Sequence, residues 1–388
     1  VNDSAAPSED TSVDVDVLAN DTDVEGSLLS IASFSQGANG SVTLVAGKLR
    51  YAPDANYHGS DSFTYRVNDG ALDSNAATVT ISVSEVNDDP TAAADTKATA
   101  EDASLTFPAA DLIANDSTGP ANESGQTVSV SSVQGAVNGT VTLEAGTVTF
   151  TPPANHNGAA SFTYTVQDSG TTNGTADAKS ATGTVTVSVS EVNDNPVAAA
   201  DSKATAEDAA LSFPAADLLT NDSAGPANEA SQSLNVVSVQ GAVNGTVSLA
   251  LGTVTFTPSP DFNGAASFTY TVADDGTTSD VADAKQASGT VNVSVSEVND
   301  APTAASDART TAEDSPLSFP ASELAANDAD GPPNESSQTL SVISVQSPAN
   351  GTVSLVGDTV TFTPAADYNG AASFAYTVRD DGTSDGIA

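Results

Sequence analysis

The sequence predicts an all-β protein made of a tandem array of seven-stranded antiparallel β-sandwich domains. A five-residue motif, Ser-Glu-Val-Asn-Asp, starts at Ser84, Ser190 and Ser296, so it recurs every 106 residues. Between copies, short runs of β-branched and aromatic residues alternate with Thr and Ser, which is the period of a half-buried strand. Turn signals separate these runs at intervals of roughly 8–12 residues, as in β-sandwiches. No window shows helical periodicity.

The repeat length sets the expected domain organisation. A unit of 106 residues is typical of one independently folding domain, and the 388 residues make about 3.7 such units. The motif is therefore interpreted as the joint between domains. We predict domains at residues 1–88 (a shorter variant), 89–194, 195–300 and 301–388 (truncated before its last strand). Because residue 1 falls inside a partial joint, we expect an excerpt of a longer chain, with any secretion signal or anchor outside it.

The first half of a repeat can be followed in the second copy. Asp95–Ala100 is predicted as the first strand, Glu101-Asp102 as a turn and Ala103–Phe107 as the second strand. Asp111–Ala114 is predicted as a single helical turn with Asp111 as its N-cap. A polar loop, Asn115–Gly125, completes this half.

The second half contains five further strands and one strong turn signal, Asn138-Gly139. Each strand presents apolar residues on one face and Thr or Ser on the other, so each sheet has one solvated face. The first repeat is shorter in its last loop, Asn68–Ala76. The five strands are expected around Val128–Val133, Val141–Leu143, Val148–Phe150, Phe162–Val166 and Val185–Val189.

The charge balance limits the partners of the chain. Nine basic and 51 acidic residues give a net charge of −42. Nucleic acid is excluded as a natural partner because phosphates require a basic patch, and anionic membrane surfaces are disfavoured for the same reason. No apolar run approaches the roughly 18–20 residues of a membrane span. The many acidic side chains repel one another, and bound divalent cations would reduce this repulsion. The alternative is that the acidic residues only keep a long surface protein soluble.

Cysteine is absent, as are Met and Trp. A long extracellular protein without cysteine has no disulfide to brace it. Metal ions are the other common brace, so the acidic residues at recurring positions are the candidate ligands.

Strand reversal predicts where those acids lie. In an antiparallel sandwich, the turn after the first strand lies at the end where the domain exits, beside the outgoing joint. The loops after the second and sixth strands lie at the opposite end, beside the incoming joint. Acids that are far apart in sequence should therefore converge on each internal joint, with ligands from both neighbouring domains.

Strand reversal thus assigns carboxylate and amide ligands to three joints, and Ca²⁺ is the predicted ion. Calcium takes six to eight oxygen ligands, magnesium keeps more of its waters, and transition metals prefer His or Cys. Extracellular calcium modules bind with dissociation constants of roughly 10⁻⁴–10⁻³ M. The predicted ligands are Glu9, Asp10, Asn87, Asp88, Asp89, Asp95, Asn115, Asp116 and Asp168 at the first joint; Glu101, Asp102, Asn193, Asp194, Asn195, Asp201, Asn221, Asp222, Asp274 and Asp275 at the second; and Glu207, Asp208, Asn299, Asp300, Asp307, Asn327, Asp328, Asp380 and Asp381 at the third.

One loop outside the joints, Asn20–Gly26, begins like an EF-hand. It lacks the flanking helices and the terminal bidentate Glu of that motif, so an EF-hand is rejected. A non-helical calcium loop stays open as an interpretation.

Several motifs together resemble the cadherin-like tandem repeats of large bacterial surface adhesins, the type I-secreted RTX and biofilm-associated proteins. The motifs are Glu-Val-Asn-Asp-x-Pro, the Glu-Asp pairs beginning at Glu101, Glu207 and Glu313, Leu-x-x-Asn-Asp, Asn-Gly-Thr-Val and Ser-Phe-Thr-Tyr-Thr-Val. The resemblance implies Ig-like or cadherin-like sandwiches at a bacterial cell surface, stiffened by calcium at the joints. The joints are reduced forms of the Asp-x-Asn-Asp-Asn linker of animal cadherins. The glycine-rich nonapeptide of RTX proteins is absent, so no β-roll is expected.

The leading functional hypothesis is a structural extender that projects a ligand-binding tip, with calcium ions and the neighbouring repeats as its partners. The alternative is an adhesive module that itself binds another copy or a carbohydrate on other cell-surface molecules. An enzyme is not expected. The only two histidines, His58 and His156, do not occupy equivalent positions, and the paired carboxylates of a glycosidase would here recur in every repeat without an aromatic platform.

Overall fold

The computed structural model describes residues 1–384, and the chain divides into two compact units, Val1–Val192 and Asn193–Ala388. The described elements are β-strands and short 3₁₀ turns. This confirms the all-β class and the tandem sandwiches.

The first repeat forms two facing sheets of four and three strands. Their orders are β1-β7-β6-β3 and β2-β5-β4. The strands are β1 (Asp3–Ala5), β2 (Val13–Val15), β3 (Ser30–Phe34), β4 (Gly40–Val45), β5 (Lys48–Pro53), β6 (Gly59–Asn68) and β7 (Ala77–Val83).

The second repeat has the same two sheets, ordered β10-β13-β16-β8 and β11-β12-β9, and adds a small hairpin of β14 and β15 in the last loop. The seven principal strands agree with the predicted ones. The strands are β8 (Asp95–Ala100), β9 (Leu105–Pro108), β10 (Val128–Val137), β11 (Thr140–Glu144), β12 (Thr147–Thr151), β13 (Gly158–Asp168), β14 (Thr171–Thr172), β15 (Thr175–Ala176) and β16 (Ser180–Ser190).

The third repeat copies the second. Its sheets are β17-β25-β22-β19 and β18-β21-β20, with the hairpin of β23 and β24. The strands are β17 (Asp201–Ala206), β18 (Leu211–Pro214), β19 (Asn235–Val243), β20 (Gly245–Ala250), β21 (Thr253–Pro258), β22 (Gly264–Ala273), β23 (Thr277–Thr278), β24 (Val281–Ala282) and β25 (Gln286–Ser296).

The fourth repeat keeps the three-stranded sheet, β26-β29-β28, but its other sheet contains only β27 and β30 in the described residues. Residues 307–312, which align with β8 and β17, form no strand there. In the other repeats this first strand pairs only with the last strand. The strands are β26 (Leu317–Pro320), β27 (Ser341–Ala349), β28 (Gly351–Val356), β29 (Thr359–Pro364) and β30 (Ser373–Arg379).

One strand pair in each of the first three repeats departs from the predicted antiparallel pattern. β8 pairs with β16 in parallel, with Asp95 opposite Val185 and Ala100 opposite Ser190. The first and seventh strands both run towards the outgoing joint, so they are parallel when they become neighbours in one sheet. The pairing continues as Glu101 N–H donates to the Ser190 carbonyl, which fixes the Glu-Asp turn against the start of the joint.

The predicted helical turn exists but lies earlier than expected. It is a 3₁₀ turn over Ala109–Asp111 with Pro108 at the N-cap, and no side chain caps it, so Asp111 is inside the turn and not its cap. Pro108 occupies the N-cap position in an extended conformation, so Asp111 is not in a position to cap the turn. The polar loop contains a second 3₁₀ turn, Ala121–Glu123, which the sequence interpretation treated as irregular.

The core of each sandwich lies between its two sheets. Val185, Val187 and Val189 of β16 are buried while the residues between them are exposed. Fully burying such a side chain contributes about 1.5–3 kcal/mol. Phe150 and Phe162 stack across the two sheets with ring centroids 5.9 Å apart. The Asn138-Gly139 turn carries the chain between the sheets, because β10 pairs with β13 whereas β11 pairs with β12.

Candidate metal centre at the domain joints

The Glu-Asp turn of the first repeat, Glu9-Asp10, forms the side of the first joint that belongs to the preceding repeat. We call this the lower side of the joint. Glu9 is buried, and its Oε1 accepts a hydrogen bond of 2.5 Å from Val86 N. Its Oε2 accepts one of 3.3 Å from Asn122 Nδ2 of the second repeat. The next residue, Asp10, lies in the left-handed region (φ 58°), and its Oδ1 accepts a bond of 3.0 Å from Asn56 N. Glu9 therefore contacts the joint and the following repeat at once.

The joint residue Asn87 forms hydrogen bonds through both side-chain polar atoms and through its backbone N–H. Its Nδ2 donates to Asp168 Oδ1 and to the Asp177 carbonyl, both at 3.0 Å. Its Oδ1 accepts from Gln126 Nε2 at 2.7 Å, and its backbone N–H donates to Thr172 Oγ1 at 3.0 Å. Asn87 thus acts as a peg that ties the joint to two loops of the second repeat.

The second 3₁₀ turn brings a buried glutamate to the same place. Glu123 is only 3% exposed, and its Oε1 accepts a 2.7 Å hydrogen bond from Asp88 N. Pro120 directly before this turn sets the extended entry that directs Glu123 towards the joint. A carboxylate buried to this degree requires hydrogen bonds or a counter-charge.

Several buried oxygens around this joint have no hydrogen-bond donor among the described residues. All are acceptors, and they come from the joint, from the loop of the second repeat that contains the second 3₁₀ turn, and from the end of β13. They are Asp88 Oδ2, Asn122 Oδ1, Glu123 Oε2, Gln126 Oε1 and Asp168 Oδ2. Buried polar atoms are nearly always satisfied, so a set of oxygens with no donor is the chemistry of a cation site.

The electrostatics of the first joint agree with that interpretation. Burial raises the pKa of Glu9, and the carboxylates of Asp88 and Asp10 raise it further, against the effects of the Val86 N–H and His58. Burial also raises the pKa of Glu123, to which the charges of Asp88 and Asp168 add. The pKa of Asp88 is raised by burial and then by neighbouring carboxylates. The protein alone therefore disfavours the charged forms that it concentrates here, and a divalent cation would reverse this effect.

The third joint, inside the second unit, repeats the arrangement. Glu207 Oε1 accepts from Val298 N at 2.7 Å, and its Oε2 accepts from Asn334 Nδ2 at 3.2 Å. Asp300 N donates to Glu335 Oε1 at 2.8 Å. Asn299 is again the peg, bonded through Nδ2 to Asp380 Oδ1 at 2.9 Å and through Oδ1 to Gln338 Nε2 at 2.9 Å. The buried oxygens without a donor are Asp300 Oδ2, Asn334 Oδ1, Glu335 Oε2 and Gln338 Oε1.

The residues predicted for the second joint make the corresponding contacts within their own units. In the first unit, Glu101 Oε1 accepts from Val192 N at 2.7 Å, and Asp102 Oδ1 accepts from Asn155 N at 2.9 Å. In the second unit, Asn193 Nδ2 donates to Asp274 Oδ1 at 2.8 Å. There too, Asp194 N donates to the Oε1 atom of Glu229 at 2.7 Å.

Some predicted ligands lie in a different network, around a tyrosine hydroxyl. Tyr164 Oη lies 3.0 Å from Asp116 Oδ1 and 2.8 Å from the Ala93 carbonyl oxygen. Asp95 also faces this hydroxyl, and Asn115 donates to the Ala94 carbonyl. Equivalent networks surround the other sixth-strand tyrosines, and contain Asp3 and Asp21; Asp201 and Asp222; and Asp307 and Asp328. Asn221 and Asn327 repeat the amide contact of Asn115.

Four other predicted ligands have exposed side chains. Asp89 and Asn195 are exposed, as are Asp275 and Asp381. Asp275 Oδ1 accepts from Ser233 N at 2.7 Å, and Asp381 Oδ1 accepts from Thr339 N at 2.6 Å. These two carboxylates secure the loop before the third strand of their repeat.

The loop Asn20–Gly26 is organised by its own hydrogen bonds. Asp23 Oδ1 accepts from Glu25 N at 3.0 Å and from Ser27 N at 2.8 Å, which is a local side-chain turn. Asn20 Nδ2 donates to Asp3 Oδ1 at 3.0 Å. A calcium site in this loop stays a prediction.

Comparison with protein-family models decides the relationship. A model described as "Cadherin-like domain" matches residues 86–188, 192–292 and 298–387, which is more than half of the chain. The chain belongs to this cadherin-like family. A model described as "Bacterial Ig domain" matches residues 1–82, the shorter first repeat.

Solved structures of cadherin-like proteins are similar to this chain at low sequence identity. "Protocadherin gammaB7 EC3-6 cis-dimer structure" is 15% identical, covers 98% of this chain and 95% of that one, and has a TM-score of 0.49. "Crystal Structure of Mouse Cadherin-23 EC22-24" is 15% identical, covers 76% of this chain and 96% of that one, and has a TM-score of 0.44. No curated protein matches the chain. Within residues 1–384, no helix combines the length and apolar character needed to cross a membrane.

The sequence interpretation missed part of the acceptor set of these cadherin-like repeats. Asn122, Glu123 and Gln126 contact the joint. Asn122 and Glu123 lie in the predicted polar loop Asn115–Gly125 and Gln126 directly follows it, and none of the three is among the predicted ligands. A signal for them does exist, because Asn-Glu-x-x-Gln recurs at residues 122, 228 and 334 with the period of the joints. The motif lies in an irregular loop, where the two-residue period of a strand does not apply.

Proposed function

We propose that this chain is part of the structural extender region of a bacterial cell-surface adhesin of the type I-secreted RTX or biofilm-associated kind. In this proposal its tandem β-sandwich domains form a rod that is stiffened by calcium at the joints and projects a ligand-binding tip. Three cadherin-like matches in tandem and a bacterial Ig match on the first repeat support an extracellular role. Domains of both kinds are typically structural modules, so we propose no enzymatic role.

The observation that carries the proposal is the set of oxygens without a hydrogen-bond donor at the first and third joints. At the first joint they come from Asp88 and from Asn122, Glu123, Gln126 and Asp168 of the next repeat. Glu9 of the preceding repeat contacts the same set through Asn122. The chemistry is entirely oxygen and strongly anionic, which suits calcium better than magnesium or a transition metal.

Glu9, Asp10, Asp88, Glu123 and Asp168 are the carboxylates that would hold the ion at the first joint, and their equivalents within the second unit would do so at the third. Bound calcium would neutralise charge that the fold concentrates between two domains. Its binding free energy would then oppose bending at the joint, because separating the domains would separate the ligands. We retain 1–88, 89–194, 195–300 and 301–388 as the proposed domains.

Small-angle scattering of the whole chain with calcium and with chelator tests this proposal. The calcium form should have the larger maximum dimension and the narrower distance distribution. A double variant, Glu9→Gln with Glu207→Gln, should lose most of the calcium effect, because both residues lie on the lower side of a joint. Identical scattering curves for the wild-type chain in both conditions would reject calcium stiffening.

One observation favours the alternative of an adhesive module. Loops of the first repeat expose three large apolar side chains, Val24 at 96%, Leu28 at 94% and Leu72 at 76%. Sedimentation of the chain at increasing concentration tests homophilic adhesion, and a glycan array tests carbohydrate binding. Association that disappears in a triple serine variant of these residues would support adhesion. If the chain stays monomeric and binds no glycan, the adhesive alternative is rejected and the extender proposal is retained.

A further inference from the structure

The third joint differs from the first at one position next to the Glu-Asp turn. At the first joint, Asn56 N donates to Asp10 Oδ1 at 3.0 Å. At the third, Asp261 N donates to Asp208 Oδ1 at 3.2 Å. Asn56 and Asp261 have nearly the same backbone conformation, with φ of 58° and 55°. The same place in the fold therefore carries an amide at one joint and a carboxylate at the other.

This carboxylate completes an acidic cluster. Asp208, Asp261 and Asp300 each offer an oxygen, and the three oxygens all lie within 4.8 Å of one another. Residues 1–384 contain no other such group of three acidic, His or Cys ligands. At the first joint the equivalent positions are Asp10, Asn56 and Asp88, two carboxylates and one amide.

A buried glutamate beside the cluster independently indicates a cation. Glu335 is only 1% exposed, and its Oε1 accepts the hydrogen bond from Asp300 N. Its Oε2 has no donor among the described residues, and neither does Asp300 Oδ2. The cluster therefore adjoins buried negative charge that the protein itself leaves uncompensated.

We propose that the third joint is the high-affinity cation site of this chain, and that Asp261 is the residue that makes it so. The inference rests on the proposed function, in which the joints bind calcium. Affinity at oxygen sites rises with the number of charged ligands. The third joint should therefore fill at a calcium concentration about tenfold lower than the first, so the joints would stiffen in sequence as calcium rises.

Calorimetric titration of the whole metal-free chain with calcium tests the inference. The wild type should show one binding step about tenfold tighter than the rest. Asp261→Asn should remove this step, and Asn56→Asp should add a second tight step at the first joint. The matched control is Asp367→Asn, because Asp367 N donates to Asp314 Oδ1 in the same way but belongs to no such cluster in the described residues.

The outcomes separate the two proposals. Calcium binding that is unchanged in Asp261→Asn would overturn the role of Asp261 and leave the joints as calcium sites. No calcium binding by the wild type would overturn the proposed function itself. If Asp261→Asn and Asp367→Asn weaken calcium binding equally, the cause is the lower net charge of the chain and the inference is rejected. Circular dichroism of each variant in chelator confirms that folding is retained before titration.

Discussion

At the scale of single residues, the joints depend on the close approach of backbone to the asparagine peg. A Cβ placed on Gly170 would lie 1.7 Å from Asn87 Oδ1, and the same conflict exists between Gly276 and Asn193. Glycine is therefore required because the loop backbone occupies the space that a side chain would need. The loop and the peg form one packed unit, and neither position can change alone.

Gly170→Ala should destabilise the second repeat by about 2 kcal/mol or more, because Asn87 must move and its buried hydrogen bonds break. Urea unfolding followed by circular dichroism measures the loss. Gly125→Ala is the control, since a Cβ at this position would meet no atom within 4 Å and the φ of Gly125 is not in the left-handed region. Equal stability of the two variants would contradict the role of the peg.

The raised pKa values at the first joint predict how the metal-free protein responds to acid. The pKa of Glu9 and of Glu123 is raised above the ordinary 4.5, and that of Asp88 above 3.8, chiefly by burial. The folded state therefore binds protons more tightly than the unfolded state. Lowering the pH from 7 towards these raised values should increase the free energy of unfolding of the metal-free chain.

At still lower pH, the free energy of unfolding should decrease again. Asp61 is buried, and although burial opposes the change, hydrogen bonds from Tyr51, Asn39 and Ala38 lower its pKa below 3.8. Its contribution is present above 3.8 and is lost as the pH falls through its folded-state pKa. Urea midpoints measured in chelator between pH 7 and 3 should therefore pass through a maximum. A steady fall from pH 7 would contradict the assignment of uncompensated carboxylates.

At the scale of elements, the tyrosine on the sixth strand connects three parts of the sandwich. The Tyr164 hydroxyl of β13 contacts the loop before β8 and the end of the first 3₁₀ segment, through the carbonyls of Ala93 and Leu112 and the carboxylate of Asp116. A hydroxyl has one proton, so it satisfies one of these acceptors at a time. The network connects elements within one domain. It contains Asp95 and Asp116, which the sequence predicted as ligands at the first joint.

Tyr164→Phe should cost about 1–2 kcal/mol, because it removes the donor from a buried group of acceptors. Thermal unfolding of the variant measures the cost, and the calcium affinity of the joints should stay the same. Tyr57→Phe is the control, since the Tyr57 hydroxyl bonds an exposed carbonyl, that of Ser60. A loss of calcium binding in Tyr164→Phe would instead indicate that this network is part of a metal site.

At the scale of the whole molecule, the net charge of −42 predicts that the free energy of unfolding increases when cations bind the folded chain. Ion binding to the folded state alone stabilises it by an amount that grows with the ratio of free ion to dissociation constant. With a dissociation constant of about 10⁻⁴ M, 10 mM calcium would contribute about 2.7 kcal/mol per site.

Calcium at 10 mM should therefore raise the unfolding temperature clearly more than magnesium at the same concentration. Differential scanning calorimetry in each ion, with sodium chloride matched for ionic strength, distinguishes site binding from screening. Equal shifts for calcium, magnesium and sodium would mean that only the general charge is screened.

The sequence by itself determined the all-β class and the positions of the strands, since the 106-residue period and the two-residue alternation are local properties that a strand must satisfy. The parallel pairing of the first strand with the last was decided only in the tertiary structure. It also placed Glu9, Asn87, Asp88 and Asp168 at the joint, because strand reversal alone decides at which end a loop lies. Only the tertiary structure decided which loop acids face the joint. Asp95 and Asp116 face Tyr164, whereas Glu123 reaches the joint through a 3₁₀ turn. Side-chain direction in an irregular loop depends on what packs beneath it, and no periodic pattern encodes that.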